Sequence, residues 1–322
     1  RMAAPAAFDT EMFLNKQAQL IALRLDDECP VLNTPLKQLT DLFSTLRTLV
    51  VAIRRQGTLF APESGDQLFS GDECYLMCHV DDSHRSVEVF GKPNLEQNRI
   101  VLIGGGNVGQ RVAYQLEKYK KRISAKIIEK NIKIAEAAAE NLERTIVLNG
   151  DGLDVNILSE ANVSRADTVL AITDDDKTNM LAAVRAKAQG CKMAIVLIND
   201  PTLVPLMQPL GIDAYINPRA TTVSSILRHI RHGRVKGVYA IGDAEAEILE
   251  AEVLSTSPIA GQKIRDIEFP ESVLIGGLLK NGEFIKPSGG TLIEEGDTIA
   301  LFTMAEDIPE VERLLQVSID FF

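Results

Sequence analysis

The stretch from Arg99 to Glu129 constrains the fold more than any other part of the chain. A short apolar run, Ile100-Val101-Leu102-Ile103, leads into Gly104-Gly105-Gly106-Asn107-Val108-Gly109. A helical pattern follows, then a second apolar run, Ala125 to Ile128, which ends on Glu129. The order is strand, G-x-G-x-x-G, helix, strand, acid. In that setting Gly104 allows the tight turn, Gly106 lets a pyrophosphate approach the backbone, and Gly109 lets the helix pack close to the strand. The unpaired N–H groups that open the helix face the phosphates. Glu129 lies 20 residues past the last glycine, where a carboxylate accepts hydrogen bonds from adenosine ribose hydroxyls.

The same alternation continues to about Gly233. Strand-like runs fall at Arg99–Ile103, Ala125–Glu129, Thr145–Leu148, Thr168–Ile172, Met193–Ile198 and Ala214–Ile216. Helical patterns fill the gaps at Val108–Tyr119, Ile132–Leu142, Val155–Glu160, Lys177–Gln189, Leu203–Leu210 and Thr221–Arg231. Strands alternating with helices predict an α/β domain, a Rossmann-like doubly wound parallel sheet covered on both faces. Its ligand crevice lies at the carboxyl ends of the first strands, beside the glycine loop.

The flanks read differently. Asn281-Gly282, between Val273–Leu279 and Glu283–Ile285, signals a hairpin. A turn at Glu294-Glu295-Gly296-Asp297, a strand at Thr298–Phe302 and an amphipathic helix from Glu306 to Leu315 complete a small α+β unit. Leu39–Met77 aligns with Ile264–Phe302 at a constant offset of 225, with eight of 39 positions identical. Most of the identities are turn-fixing: Gly57/Gly282, Pro62/Pro287, Gly65/Gly290, Gly71/Gly296 and Asp72/Asp297. The two ends therefore share one fold. The expected organisation is a first small domain at 1–92, a nucleotide-binding domain at 98–234 after the polar, Pro-broken linker at 91–98, and a second small domain at 236–322. The repeat also predicts a nucleotide domain ahead of each small domain. None precedes the first, so the expectation is a chain missing its N-terminal domain.

Two further loops fall at ligand-side strand ends. Gly150-Asp151-Gly152 suits a turn beside an adenine or ribose, and equally a plain turn in which Asp151 caps its own backbone. Thr173-Asp174-Asp175-Asp176 leads into a helix, where acids favour the dipole. Thr173 and Asp174 stand where a dinucleotide's second half passes. No His or Cys follows these strands, so the chain is read as a non-enzyme. Tyr114-x-x-x-Lys118 has a dehydrogenase spacing but lies in the first helix, and reads as an exposed pair. Cys29, Cys74, Cys78 and Cys191 lack zinc spacing and read as reduced, half-buried thiols. His229 and His232 fall in a basic helix end closed by Gly233 rather than in a metal site. A net charge of −11 argues against nucleic acid, and no run of eighteen apolar residues occurs.

The glycine loop, Glu129, Gly150-Asp151-Gly152 and the segment Thr173 to Asn179 together resemble the RCK/KTN family, which regulates potassium channels and transporters. The flanking repeats resemble its C-terminal domain type. The resemblance implies a cytosolic regulatory subunit, peripheral on the inner face of the plasma membrane, that forms rings with copies of itself under a membrane potassium transporter. It implies NAD(H) as ligand, with ATP or ADP as the alternative. Carried onto this chain, Gly104 to Val108 cradle the phosphates, Gly109 closes the loop, and Glu129 holds the ribose. Thr173 and Asp174 line the far side. Some family lobes carry an Arg on the fifth strand; Met193–Ile198 has none. The rival reading is an NAD-dependent oxidoreductase, which needs a catalytic acid near the nicotinamide.

Overall fold

The computed structural model describes residues 9–92, 98–119, 123–219, 222, 235–242 and 244–315. It divides into two compact units, one containing both chain ends and the other the segment 95–219.

In the first small domain β1 (Asp9–Phe13) and β2 (Ala18–Arg24) precede α1 (Leu36–Leu42), β3 (Thr48–Arg55), β4 (Thr58–Phe60), β5 (Glu73–His79) and α2 (Ser83–Val89). The strands form an antiparallel sheet in the order β1-β2-β5-β3-β4.

The middle unit carries β6 (Arg99–Ile103), α3 (Asn107–Tyr119), β7 (Ser124–Glu129), α4 (Ile132–Asn141), β8 (Ile146–Asn149), α5 (Val155–Glu160), β9 (Thr168–Ala171), α6 (Asp176–Ala188), β10 (Met193–Leu197) and β11 (Ala214–Ile216). All six strands run parallel in the order β11-β10-β9-β6-β7-β8, so the chain reverses direction of travel between β6 and β9. Separate apolar cores lie around this sheet, one built on Ile103, Val169 and Val196, the other on Leu102, Ile127 and Ala113. The helices begin on short polar caps: Asn131 accepts from Lys133 N and Ile134 N, Asp154 from Asn156 N, and Asp175 from Thr178 N.

The helix expected at Leu203–Leu210 is corrected. The segment is a 3₁₀ turn over Pro201–Leu206, with Pro205 inside it removing a helical donor. The expected helix at Thr221–Arg231 lies outside the described residues except for Thr222.

The second small domain repeats the first. Strands β12 (Val235–Ile241), β13 (Ala246–Glu252), β14 (Leu274–Lys280), β15 (Glu283–Ile285) and β16 (Thr298–Met304) form a sheet in the order β12-β13-β16-β14-β15, followed by α7 (Ile308–Leu315). The 225-residue offset recurs in detail. The sheet register slips between Val50 and Ala52 in one copy and between Ile275 and Gly277 in the other. The hairpins turn on Gln56-Gly57 and Asn281-Gly282, every residue with positive φ. Asp72 accepts from Phe69 N at 2.9 Å and Asp297 from Glu294 N at 2.8 Å. Arg55 pairs with Asp72, and Lys280, its counterpart, approaches Asp297.

The two small domains pack together within their unit. One face of each sheet contributes to a single core, with Phe13, Leu20, Val51 and Met77 against Ile248, Phe284 and Phe302. A Cβ on Gly276 would stand 2.9 Å from Val51 and 3.2 Å from Met77, so the bare backbone there permits the close approach. The Leu14 amide donates to Glu250 at 2.8 Å, Arg54 pairs with Glu245 at 2.9 Å, and Gln17 accepts from Phe284 N at 3.0 Å. The outer faces bury the two domains' own helices.

Candidate functional site

The glycine loop sits where the sheet order reverses, at the carboxyl end of β6. Gly104 has φ +111°, and its N–H donates to Ile128 O at 2.9 Å, which tethers the loop to β7. A Cβ at Gly104 would lie 3.0 Å from the Ile172 and Thr173 backbone, so only glycine lets the β6 and β9 loops meet. A Cβ at Gly109 would fall 2.0 Å from Gly104 O, so the first turn of α3 rests directly on the loop. A Cβ at Gly106 would meet nothing within 4 Å. The three glycines thus have separate jobs: turn, open approach, and helix seat. Gln110 N makes the first bond of the helix, to Gly106 O, and its side chain donates to Gly105 O, both at 2.9 Å. The amides of Gly106, Asn107, Val108 and Gly109 therefore precede the helical ladder at an exposed helix start, a ready anion cradle.

Glu129 ends β7 beside this loop. Its Oε2 accepts from Gly105 N and its Oε1 from Asn131 N, each at 2.7 Å. A Cβ on Gly105 would stand 2.9 Å from the Glu129 Cβ, so Gly105 makes room for the acid and orients it. Its amide is consequently engaged by Glu129. An ionised carboxylate has about four acceptor directions, so capacity for a ribose diol remains.

Asp151 follows β8. Its Oδ1 accepts from Leu153 N at 2.9 Å, closing the Asx turn that was one of its two sequence readings. Its Oδ2 accepts from Lys130 Nζ at 2.8 Å, and this bond, with that from Leu153 N, holds the carboxyl below its ordinary range. The flanking glycines are packing requirements: a Cβ on Gly150 would be 2.7 Å from Ile157, and one on Gly152 would be 2.3 Å from Ile103.

After β9, Asn179 organises the loop. It is fully buried, and its Oδ1 accepts from Thr173 N at 2.8 Å and from Thr173 Oγ1 at 2.7 Å. Its Nδ2 donates to Thr173 O at 3.1 Å and to Leu197 O at 2.9 Å. One amide thus locks the ends of β9 and β10 together. The sequence reading included Asn179 in its motif but gave it no role; an Asn six residues beyond a strand-end Thr was the available signal. The three acids divide their work. Asp175 caps α6, and the Thr178 hydrogen bonds hold it below its ordinary range. Asp176 accepts from Asn199 N, Asn199 Nδ2 and Asp200 N at 2.8–3.0 Å. Asp174 is exposed and makes no hydrogen bond or ion pair among the described residues.

The cysteines are more deeply buried than expected. All four are free and buried, and burial pushes the Cys78 thiol up to about 12. Cys74 and Cys78 do share a face, in the core of the first small domain. Tyr114 is exposed, with Arg111 over its ring. His229 and His232 lie outside the described residues. No helix among the described residues is long and apolar enough to cross a membrane.

Comparison with known proteins places this geometry. Residues 100–218 match the TrkA-N domain and residues 248–316 the TrkA-C domain. The Trk system potassium uptake protein TrkA of Azorhizobium caulinodans is 41% identical over 322 residues, covering 100% of this chain and 70% of that protein. TrkA of Vibrio alginolyticus is 32% identical over 321 residues, covering 98% of this chain and 69% of that protein. Among solved structures, the GsuK RCK domain superposes with a TM-score of 0.52 at 16% identity, covering 97% of this chain and 66% of that one. The GsuK channel bound to NAD gives 0.52 at 15%, covering 98% and 57%. These structures share the fold: a Rossmann-like domain with small α+β domains of RCK type. The expectation of a missing N-terminal domain is corrected, because the TrkA-N domain is present in the chain, at residues 100–218. The chain belongs to the TrkA family of RCK/KTN regulatory proteins.

Proposed function

We propose that this chain is the nucleotide-sensing regulatory subunit of a potassium uptake transporter, with NAD(H) held in the Gly104–Gly109 loop. The observation that carries the reading is the join between Glu129 and the loop. Its carboxylate is fixed by the Gly105 amide beside an exposed helix start, with open space at Gly106. The residues present fit an adenine dinucleotide. The amides of Gly106 to Val108 suit the pyrophosphate, Glu129 the adenosine ribose, and exposed Asp174 the far half. Asp151 and Thr173 line the same strand ends and are already engaged by Lys130 and Asn179, so their part is to shape the walls. ATP and ADP share the ribose and phosphates, and are the alternative ligands.

The family is one of regulatory proteins rather than enzymes, and no reaction is assigned to this chain. Regulation needs only a difference: a ligand shifts an assembly between two states by its differential affinity for them. The partners proposed are a membrane potassium transporter and further copies of this chain, at the inner face of the plasma membrane.

Titration of NAD, NADH, NADP, ATP and ADP into the purified chain, with mass measured in parallel, tests the reading. NAD or NADH should bind, and NADP should bind at least on the order of tenfold more weakly, because its 2′-phosphate meets Glu129. Equal affinities for NAD and NADP would contradict the ribose assignment. Turnover of an alcohol or 2-hydroxy acid with NAD would favour the oxidoreductase instead.

A further inference from the structure

A cavity of about 330 Å³ opens in the unit formed by the two small domains, and no residue of the Gly104–Gly109 loop lines it. Ligand pockets run from about 300 to 1,000 Å³, so this one suits a small molecule. Its wall is mainly apolar, with Leu39 and Phe43 from α1 and its end, Leu49 and Val50 from β3, and Leu274 from β14 of the second small domain. Lys286, also from the second domain, lines it too. The Lys286 ammonium donates to Leu46 O at 3.1 Å, and no ion pair to a carboxylate is formed among the described residues. Burial lowers its pKa. The other charged groups at the cavity, Lys37, Asp41 and Glu63, belong to exposed residues.

The internal repeat supplies a control. At the 225-residue offset, Lys286 corresponds to Ala61, Phe43 to Glu268 and Leu46 to Glu271. Helix α1 corresponds to a mere 3₁₀ turn at Ile264–Asp266. The pairing of this apolar wall with a half-buried cation therefore has no counterpart at the equivalent positions of the repeat. A packing role common to the fold would not require it. A desolvated ammonium without a counter-ion is costly, and an anion brought in on an apolar body would relieve that cost.

We propose that this cavity binds a small amphipathic monocarboxylate, with its alkyl or aryl body among Leu39, Phe43, Leu49 and Leu274 and its carboxylate on Lys286. The site is independent of the nucleotide loop, and its failure would leave that reading untouched.

The test is calorimetric titration of the full chain with decanoate and, separately, decan-1-ol. Decanoate should bind saturably at one site, more tightly than the alcohol. Lys286→Met should weaken decanoate on the order of tenfold while leaving the alcohol unchanged. Leu49→Trp, or Leu274→Trp from the second small domain, should block both. Absence of decanoate binding, equal binding by Lys286→Met, or undiminished binding by a folded tryptophan variant would overturn the proposal. Lys286→Met decides the matter even if neither tryptophan variant folds.

Discussion

Single residues in the candidate site separate into those that build it and those free to meet a ligand. Gly109 builds it. In Gly109→Ala the new methyl would sit 2.0 Å from Gly104 O, so the loop or helix must move. The expected loss is about 2 kcal/mol, read as a lower melting temperature. Gly106→Ala enters open space and should leave the melting temperature unchanged while reducing nucleotide affinity. A Gly106→Ala protein that melts early would show that the opening is not free. Asn179 and Asp174 make a second contrast. Asn179→Leu removes the four hydrogen bonds made by a fully buried side chain and should cost about 2–3 kcal/mol. Asp174→Asn should alter ligand affinity alone. Asp167 gives the pH dependence. It is buried and takes hydrogen bonds from Arg99, Lys192 and Asn98, with Arg99 contributing most, which holds it far below its ordinary 3.8. A carboxyl depressed on folding stabilises above its unfolded pKa and loses that contribution as pH falls towards the folded value. Asp167→Asn should therefore cost about 2 kcal/mol near neutrality, and its gap from wild type should close as the pH is lowered below about 4. Denaturant melts across that range would show whether it does.

At the level of elements, the legible parts were those with strong local chemistry. The glycine loop, the βα alternation from β6 to β10 and the Asn281-Gly282 hairpin each depend on residues adjacent in sequence, and each forms where it was expected. The repeat was legible because most of its identities lie at turns, where Gly57, Gly71 and their counterparts Gly282 and Gly296 take positive φ; the shared bulge after Val50 and Ile275 had no residue signature. The segment after β10 misled because its apolar spacing is helical while Pro205 removes the hydrogen bond that a helix needs. In the site, glycines and the acid at β7 could be named from spacing. The roles of Gly105, Lys130 and Asn179 could not, since they arise from contacts between loops brought together only by the sheet order. The three successive acids looked alike in sequence and differ only by what folds against them.

For the molecule as a whole, the two small domains, far apart in sequence, share one core. Phe302 is fully buried in that core. Phe302→Ala should cost about 3–5 kcal/mol and lower the melting of both small domains together. Hydrogen exchange that exposed β16 without affecting β2 would argue against a shared unit. The nucleotide unit has its own sheet and cores. The central claim is that this unit grips a pyrophosphate at the start of α3. The most direct measurement is NAD affinity, by calorimetry, of the full chain beside its Gly106→Asp variant. The account predicts one binding site per wild-type chain and its loss in the variant, at an unchanged melting temperature. Undiminished affinity in a folded Gly106→Asp protein, or no adenine nucleotide bound by the wild type, would contradict it.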